Sequence, residues 1–264
     1  MLKKKPLFIL KIGGSVITDR QSERPRIRIS ILKQIAVEVA KAYSGSEFNL
    51  ILIHGAGSFG HPIVLKTGIN QGLKEPTQRI GLGETQRLQT ILNTSVCRYL
   101  LNQGLPVFPL QASASAVMKK GELISMDTQA LEGLLLSGMI PVLNGVPAHD
   151  IEQGCSILSG DQLASYLFNR LKVQSIFHGT NVKGIYSADP FQNPDAAFIS
   201  EVNLNAVPDG ISGSSVTDVT GGMRKKIEEL SAVGAEGQIF DATVAGNVLG
   251  VLSGEVVGTE IIKK

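Results

Sequence analysis

Short apolar runs alternate along the chain with longer segments in which apolar residues recur every three or four positions. The short runs have the length of β-strands, and the longer segments have the spacing of helices that bury one face. This alternation is typical of a mainly parallel sheet, since each crossover between parallel strands usually runs through a helix. The predicted strands are residues 7–12, 49–54, 105–110, 140–143, 175–178 and 237–241.

The periodic segments lie between these runs, at residues 31–42, 88–100, 131–135, 163–171 and 227–233. Their apolar stripes predict helices that cover the sheet. We therefore expect an α/β protein whose open, mainly parallel β-sheet is sandwiched between helices. The turn-rich passage at residues 187–195 predicts a long loop or a junction between lobes, because its prolines exclude regular helix and central strand.

Composition narrows the class of partner. The formal net charge of +2 is too small to favour nucleic-acid binding by bulk electrostatics, and no apolar segment reaches the roughly 18 residues of a membrane span. Cys97 and Cys155 stand apart from each other and from histidines, which favours neither a disulfide nor a zinc site. We expect a cytoplasmic protein with a small-molecule partner.

The first candidate site is the turn that follows the first predicted strand. Gly13 and Gly14 let backbone N–H groups approach an anion, and Lys11 places a cation beside them. Ligands of parallel sheets bind at this edge. A tight turn without a ligand is an equally good interpretation of this motif alone.

The second candidate is the stretch IHGAGSFGHP, residues 53–62, which contains a G-x-G-x-x-G pattern. A dinucleotide fingerprint would need a helix starting in the motif and an acidic residue at the end of a second strand. Residues 68–73 instead have the composition of a loop, and Pro62 interrupts the segment. The glycines remain suited to a phosphate, and His61 stands where it would donate a hydrogen bond to one. His54, His149 and His178 are assigned structural roles.

The third candidate is DVTGGMRKK, residues 218–226, which opens an amphipathic helix. Helix N-termini attract phosphate, and Lys226 could reach back to the same anion. A capped surface helix is the alternative. The chain has no Gly-Lys dipeptide and therefore no P-loop, and it lacks the kinase triplets H-R-D and D-F-G.

Three glycine turns with basic partners, in this order, are more specific than any one of them. Together with SGDQ at residues 159–162, GTNVKGIY at residues 179–186 and Gly258-Thr259, they resemble the amino acid kinase family over nearly the whole chain. The second turn ends in a histidine, and in this respect it resembles the branch of this family that phosphorylates isopentenyl phosphate. Fosfomycin kinases share a related glycine-histidine turn.

The resemblance implies ATP-dependent conversion of isopentenyl phosphate to isopentenyl diphosphate, with Mg²⁺, in a homodimer. It implies one domain, with an acceptor-binding lobe at residues 1–173 and a nucleotide-binding lobe at residues 174–264. The implied ATP-binding residues are Lys11, Gly13, Gly14, Ser15, Gly57, Thr180, Asn181, Tyr186, Gly222 and Lys226. The implied acceptor-binding residues are Ala56, Gly60, His61 and Gly160.

The implied catalytic residues are Lys11, Arg20, His61, Asp161 and Lys226. Arg20 stands where the family often has lysine, so a planar guanidinium group replaces a compact ammonium group. The candidate pocket for the prenyl tail is the helix at residues 83–101 with Ala112, Ala114, Ala116 and Val117, although ordinary packing explains these small residues equally well. Another small-molecule kinase of this fold, acting on a phosphonate, an amino acid or a carbamate, is the first alternative. A non-catalytic nucleotide-binding regulator is the second.

Overall fold

Fourteen strands are found in the described part of the chain, which comprises residues 5–19, 22, 24–45, 47–206 and 222–264 of a computed structural model. They are β1 (Leu7–Ile12), β2 (Asn49–His54), β3 (Val107–Pro109), β4 (Ala116–Lys119), β5 (Glu122–Met126), β6 (Ile140–Asn144), β7 (Val146–Asp150), β8 (Gly154–Leu158), β9 (Ser175–Thr180), β10 (Ile185–Tyr186), β11 (Phe198–Ile199), β12 (Glu201–Asn203), β13 (Gly237–Asp241) and β14 (Thr259–Ile262).

Eight α-helices lie in the same described ranges. They are α1 (Gly14–Ile17), α2 (Ile29–Tyr43), α3 (His61–Thr67), α4 (Pro76–Leu101), α5 (Gln129–Leu136), α6 (Gly160–Leu171), α7 (Gly222–Val233) and α8 (Asn247–Leu252). No helix among these residues is both long enough and apolar enough to cross a bilayer.

Eight strands form the main sheet, in the order β12-β14-β13-β9-β1-β2-β6-β3. Neighbouring strands are parallel throughout, except that β13 and β14 are antiparallel. The predicted α/β class with a mainly parallel sheet is therefore confirmed. β1 lies inside the sheet, between β9 and β2, so the turns that follow these three strands meet at one edge.

Successive residues of the central strands point to opposite faces and enter two cores. Ile9 and Ile51 pack on the face covered by α5, α6 and α7, whereas Leu10 and Leu52 pack on the face covered by α2, α4 and α8. All four are essentially inaccessible to solvent. Burying a side chain of this size contributes about 1.5–3 kcal/mol. The predicted sandwich thus follows from strands that are apolar on both sides.

A second sheet, ordered β5-β4-β7-β8, is absent from the sequence-based prediction. Its strands are four or five residues long and include proline, histidine and glycine, so they lack a clear apolar period. β10, β11, β12 and β14 also went unpredicted. The predicted strand at residues 105–110 is shorter in the structure, where only β3 pairs with β6; Pro109 is tolerated because β3 is an edge strand.

Pro62 does not interrupt the second glycine turn, contrary to the sequence-based interpretation. It lies in the first turn of α3, where a residue without an N–H leaves no helical hydrogen bond unmade. The loop predicted at residues 187–195 does lack regular structure, and it connects the antiparallel strands β10 and β11.

The first two glycine turns contact each other backbone to backbone. A Cβ built on Gly14 would lie 2.2 Å from the backbone nitrogen of Gly57, and Gly57 has a positive φ of 51°. Thr18 joins the turns further, since its hydroxyl donates to the carbonyl of Gly14 and accepts from the N–H of Ser58. The absence of a side chain at Gly14 is thus a requirement of packing, apart from any ligand.

Gly14→Ala is expected to destabilise the protein by about 1–3 kcal/mol, because backbone atoms of the neighbouring turn would have to move. Gly133→Ala is the matched control: Gly133 lies exposed in α5 with no atom within 4 Å of a built Cβ. That control should be neutral or stabilising by up to about 1 kcal/mol. Thermal unfolding of both variants measures the difference, and equal effects would contradict the packing argument.

Candidate active site

The turns at the carboxyl ends of β1, β2, β6 and β9 surround one cavity of about 230 Å³. Backbone hydrogen bonds continue past the strands and fix these turns relative to one another. The N–H of Gly13 donates to Gly179, that of Gly55 donates to Ile12, and that of Gly145 donates to His54. A crevice at the carboxyl edge of a parallel sheet is the usual ligand site of such folds.

Fourteen of the residues predicted from the sequence line this cavity. They are Lys11, Gly13, Gly14, Ser15, Ala56, Gly57, Gly60, His61, Gly160, Asp161, Thr180, Asn181, Tyr186 and Lys226. Gly222 is the first residue of α7, and its predicted role stays a prediction. Arg20 and residues 218–221 lie outside the described residues. The structure brings these fourteen together, and their individual roles stay predictions.

Asp161 is the centre of a buried ionic cluster. Its Oδ1 lies 2.7 Å from Lys11 Nζ, and its Oδ2 lies 3.0 Å from Lys226 Nζ. His178 Nδ1 lies 3.3 Å from Oδ1. The side chains of Lys11 and Asp161 are only 7% and 8% exposed, so these charges have little access to solvent. The cluster joins the central strand β1 to α6 and α7.

Burial alone would raise the pKa of Asp161, but the charges of Lys11 and Lys226 and the contact with His178 outweigh it and hold that pKa well below its usual range. Burial lowers the pKa of His178, and both lysines act in the same direction while Asp161 opposes them. His178 is therefore neutral at pH 7. One carboxylate faces two ammonium groups, so the cluster keeps an excess of positive charge.

Glu229, one turn after Lys226 on α7, does not cancel that excess. Burial and, to a lesser extent, the negative charge of Asp161 raise the pKa of its carboxyl to about 8 against the opposing charges of Lys225, Lys226 and Lys11. A carboxyl with this pKa is mostly protonated at pH 7. Neither of its oxygens has a hydrogen-bond partner among the described residues. The cluster can therefore attract an anion from the cavity.

The start of α6 adds backbone donors to the same wall. Ser159 caps this helix by accepting the N–H of Gln162 at 3.0 Å, and Gly160 and Asp161 form its first turn. A Cβ on Gly160 would lie 3.3 Å from Ile53 Cγ2 and 3.4 Å from Lys11 Cε, so the start of α6 packs closely against β1 and β2. The partial positive charge of a helix N-terminus favours a bound anion at this position.

The second glycine turn and α3 also line the cavity. His61 begins α3, directly after Gly60, and is partly exposed. Beyond it the wall is apolar and consists of Val64, Val146, Pro147, Ile157 and Leu158.

The wall expected for a prenyl tail is only partly the one found. Helix α4 reaches the cavity through Thr85 and Gln89, but the predicted Ala112, Ala114, Ala116 and Val117 do not line it. Ala112 and Ala116 are instead packed in the core around α5 and α6. The alanines after β3 were expected in this wall because they are small and apolar. Residues of β7 and β8, two strands that the sequence did not predict, form most of the apolar wall instead.

Sequence reasoning missed His178, which it assigned a structural role. Nothing local distinguishes this histidine from His54, whose ring lies 3.1 Å from both Asn93 Oδ1 and the carbonyl of Gly55. The available signal was its position: β9 aligns with β1 so that His178 pairs with Lys11. Strand order across the sheet was needed to recognise this neighbour.

The loop after β9 borders the cavity mouth. Asn181 Oδ1 accepts a hydrogen bond from Ser15 Oγ at 3.3 Å, which joins this loop to the first glycine turn. Tyr186 also lines the mouth, with its ring centroid 5.6 Å from that of Phe198. Phe191, from the loop between β10 and β11, is 73% exposed at the same edge.

The described residues contain no group of three or more His, Cys, Asp or Glu side chains placed to hold a metal ion. Among these residues, two carboxylates line the cavity, those of Asp161 and Asp189, and Asp161 is already engaged by two lysines.

Comparison with known proteins agrees with this geometry. The profile of the amino acid kinase family matches residues 6–239. The isopentenyl phosphate kinase of Methanothermobacter thermautotrophicus is 37% identical, and the alignment covers 98% of this chain and all of the relative. That of Methanocaldococcus jannaschii is 34% identical over 97% of this chain and 98% of the relative.

A crystal structure of an isopentenyl phosphate kinase superimposes with a TM-score of 0.85 at 35% identity, covering 97% of this chain and 99% of the other. The chain belongs to the amino acid kinase family. Its relatives identify it as a phosphotransferase. Within that family it belongs with the isopentenyl phosphate kinases.

Proposed function

We propose that the protein transfers the γ-phosphoryl group of ATP to isopentenyl phosphate, giving isopentenyl diphosphate and ADP for isoprenoid biosynthesis. Membership of a kinase family implies ATP as the donor. The carrying observation is the excess of positive charge around Asp161, which lies between two glycine turns in a cavity with an apolar wall. The positive charge and the glycine turns suit the two phosphates, and the apolar wall suits the short hydrocarbon chain of the acceptor.

The acceptor needs no strong base in this reaction. A phosphate monoester has a second pKa of about 6, so its attacking oxygen is already ionised at neutral pH. That oxygen forms a bond to the γ-phosphorus as the bond to the oxygen of ADP breaks. The barrier comes from bringing two anions together and from charge on the transferred group, which fixed cations and N–H donors stabilise.

The proposed roles divide the cavity between nucleotide and acceptor. Lys11, Lys226, Gly57 and the first glycine turn would hold the nucleotide phosphates. Ala56, Gly60, His61 and Gly160 would hold the acceptor phosphate. Asp161 would act through the lysines as a positioning residue, because its carboxylate contacts both ammonium groups. Asn181 and Tyr186 would border the nucleotide. Arg20 keeps a proposed catalytic role from the family resemblance alone.

Mg²⁺ would enter with the nucleotide. It is commonly bound by substrate phosphates and water with one or two carboxylates, and it supplies charge neutralisation during transfer. Asp161 fits poorly as a direct ligand because two lysines already engage it. The proposal therefore assigns the metal to the phosphates of ATP. A homodimer, a cytoplasmic location and the division into lobes at residue 173 remain predictions from the sequence.

The product assay tests the function directly. The protein is incubated with ATP, Mg²⁺ and isopentenyl phosphate, and mass spectrometry should detect isopentenyl diphosphate together with an equal amount of ADP. Fosfomycin, glutamate and carbamate are offered separately, since kinases of this fold act on such acceptors. Faster turnover of fosfomycin than of isopentenyl phosphate would reverse the assignment. ATP binding without ADP release for any acceptor would favour a regulator.

Substitutions of acceptor-binding and ATP-binding residues should change different steady-state constants. His61→Ala should raise the KM for isopentenyl phosphate about tenfold or more with little change in the KM for ATP, because a donor to the acceptor phosphate is lost. Lys226→Ala should lower kcat and weaken ATP use together, whereas Lys225→Ala is the matched control on the same helix. Unchanged acceptor kinetics for His61→Ala would contradict its assignment.

A further inference from the structure

Helix α4 presents a buried polar row towards the second glycine turn. Thr85, Gln89 and Asn93 follow one another at intervals of four residues, and none is more than 8% exposed. Thr85 donates to the carbonyl of Gly81 at 2.7 Å, and Asn93 Oδ1 accepts from Nε2 of His54 at 3.1 Å. Of these three side chains, only that of Gln89 has no hydrogen-bond partner among the described residues.

Gln89 is 1% exposed, and both atoms of its amide, Nε2 and Oε1, lack a hydrogen-bond partner among the described residues. A buried polar group left unpaired is unfavourable, because it loses its hydrogen bonds to water and gains none in the protein. An amide retained at this cost, and lining a cavity, is suited to a ligand that satisfies it.

The position of the amide identifies which part of a ligand it would meet. A Cβ built on Gly60 would lie 2.4 Å from Gln89 Nε2 and 2.7 Å from the Cβ of Ala56, so the amide lies against the backbone of Gly60. Ala56, Gly60 and His61 form the turn proposed to hold the acceptor phosphate. Val64, one turn further along α3, begins the apolar wall.

We infer that Gln89 is an acceptor-positioning residue, which donates an amide N–H to the phosphate of the acceptor where the phosphate meets its hydrocarbon chain. This inference rests on the proposed function. It explains why Gly60 has no side chain: any Cβ would displace the amide from the turn. It also explains why a polar side chain lies in a wall that otherwise suits a hydrocarbon.

The test compares Gln89→Leu with Gln34→Leu. Gln34 on α2 also has a buried Nε2 without a partner among the described residues, but it does not line the cavity. Replacing either amide with leucine removes an unpaired group, so neither variant should lose thermal stability without ligand. Only Gln89→Leu should raise the KM for isopentenyl phosphate, by about 10- to 100-fold, while its KM for ATP stays within about twofold.

Gln89→Glu adds a charge test, because it keeps the shape of the side chain and places a carboxylate beside the phosphate. Its KM for isopentenyl phosphate should exceed that of Gln89→Leu. The inference is wrong if Gln89→Leu leaves this KM within about twofold of the unsubstituted protein, or if both Michaelis constants rise together. If the unsubstituted protein forms no isopentenyl diphosphate, the proposed function itself fails, and the inference fails with it.

Discussion

The carboxylate of Asp161 contacts two largely buried lysine ammonium groups. Without it, both charges would lose the carboxylate that compensates them. Lys11 comes from the central strand and Lys226 from a helix 215 residues later in the chain, and each lies within 3.0 Å of the same side chain. Removing one partner of a buried ionic group costs about 3–5 kcal/mol, because the remaining charge is uncompensated. The rest of the site depends on this carboxylate, since it fixes both cations at one wall of the cavity.

The glycine turns complete the site by bringing backbone N–H groups to the same place. Gly14 and Gly57 approach so closely that side chains could not fit between them, and hydrogen bonds from Thr18 hold the two turns together. Donors fixed in this way need no reorganisation when charge develops on a transferred phosphoryl group. A rigid nest and an excess of positive charge therefore act together, and neither depends on a strong base.

The main sheet was predictable because its central strands are apolar on both faces, as Ile9, Leu10, Ile51 and Leu52 illustrate. The second sheet was not, because its short strands carry no period that distinguishes them from loops. The glycine turns were recognisable as local motifs, whereas His178 and Gln89 were not. Their importance comes from strand register and from helix packing, which place them beside Lys11 and Gly60.

We propose that donor and acceptor phosphates bind side by side in one cavity, next to the Asp161 cluster. The most direct measurement is a crystal structure with isopentenyl phosphate and a non-hydrolysable ATP analogue. The account predicts the γ-phosphate beside Lys11 and Lys226, and the acceptor phosphate against the turn from Ala56 to His61. Nucleotide phosphates bound away from both lysines, or an acceptor bound outside this cavity, would contradict it.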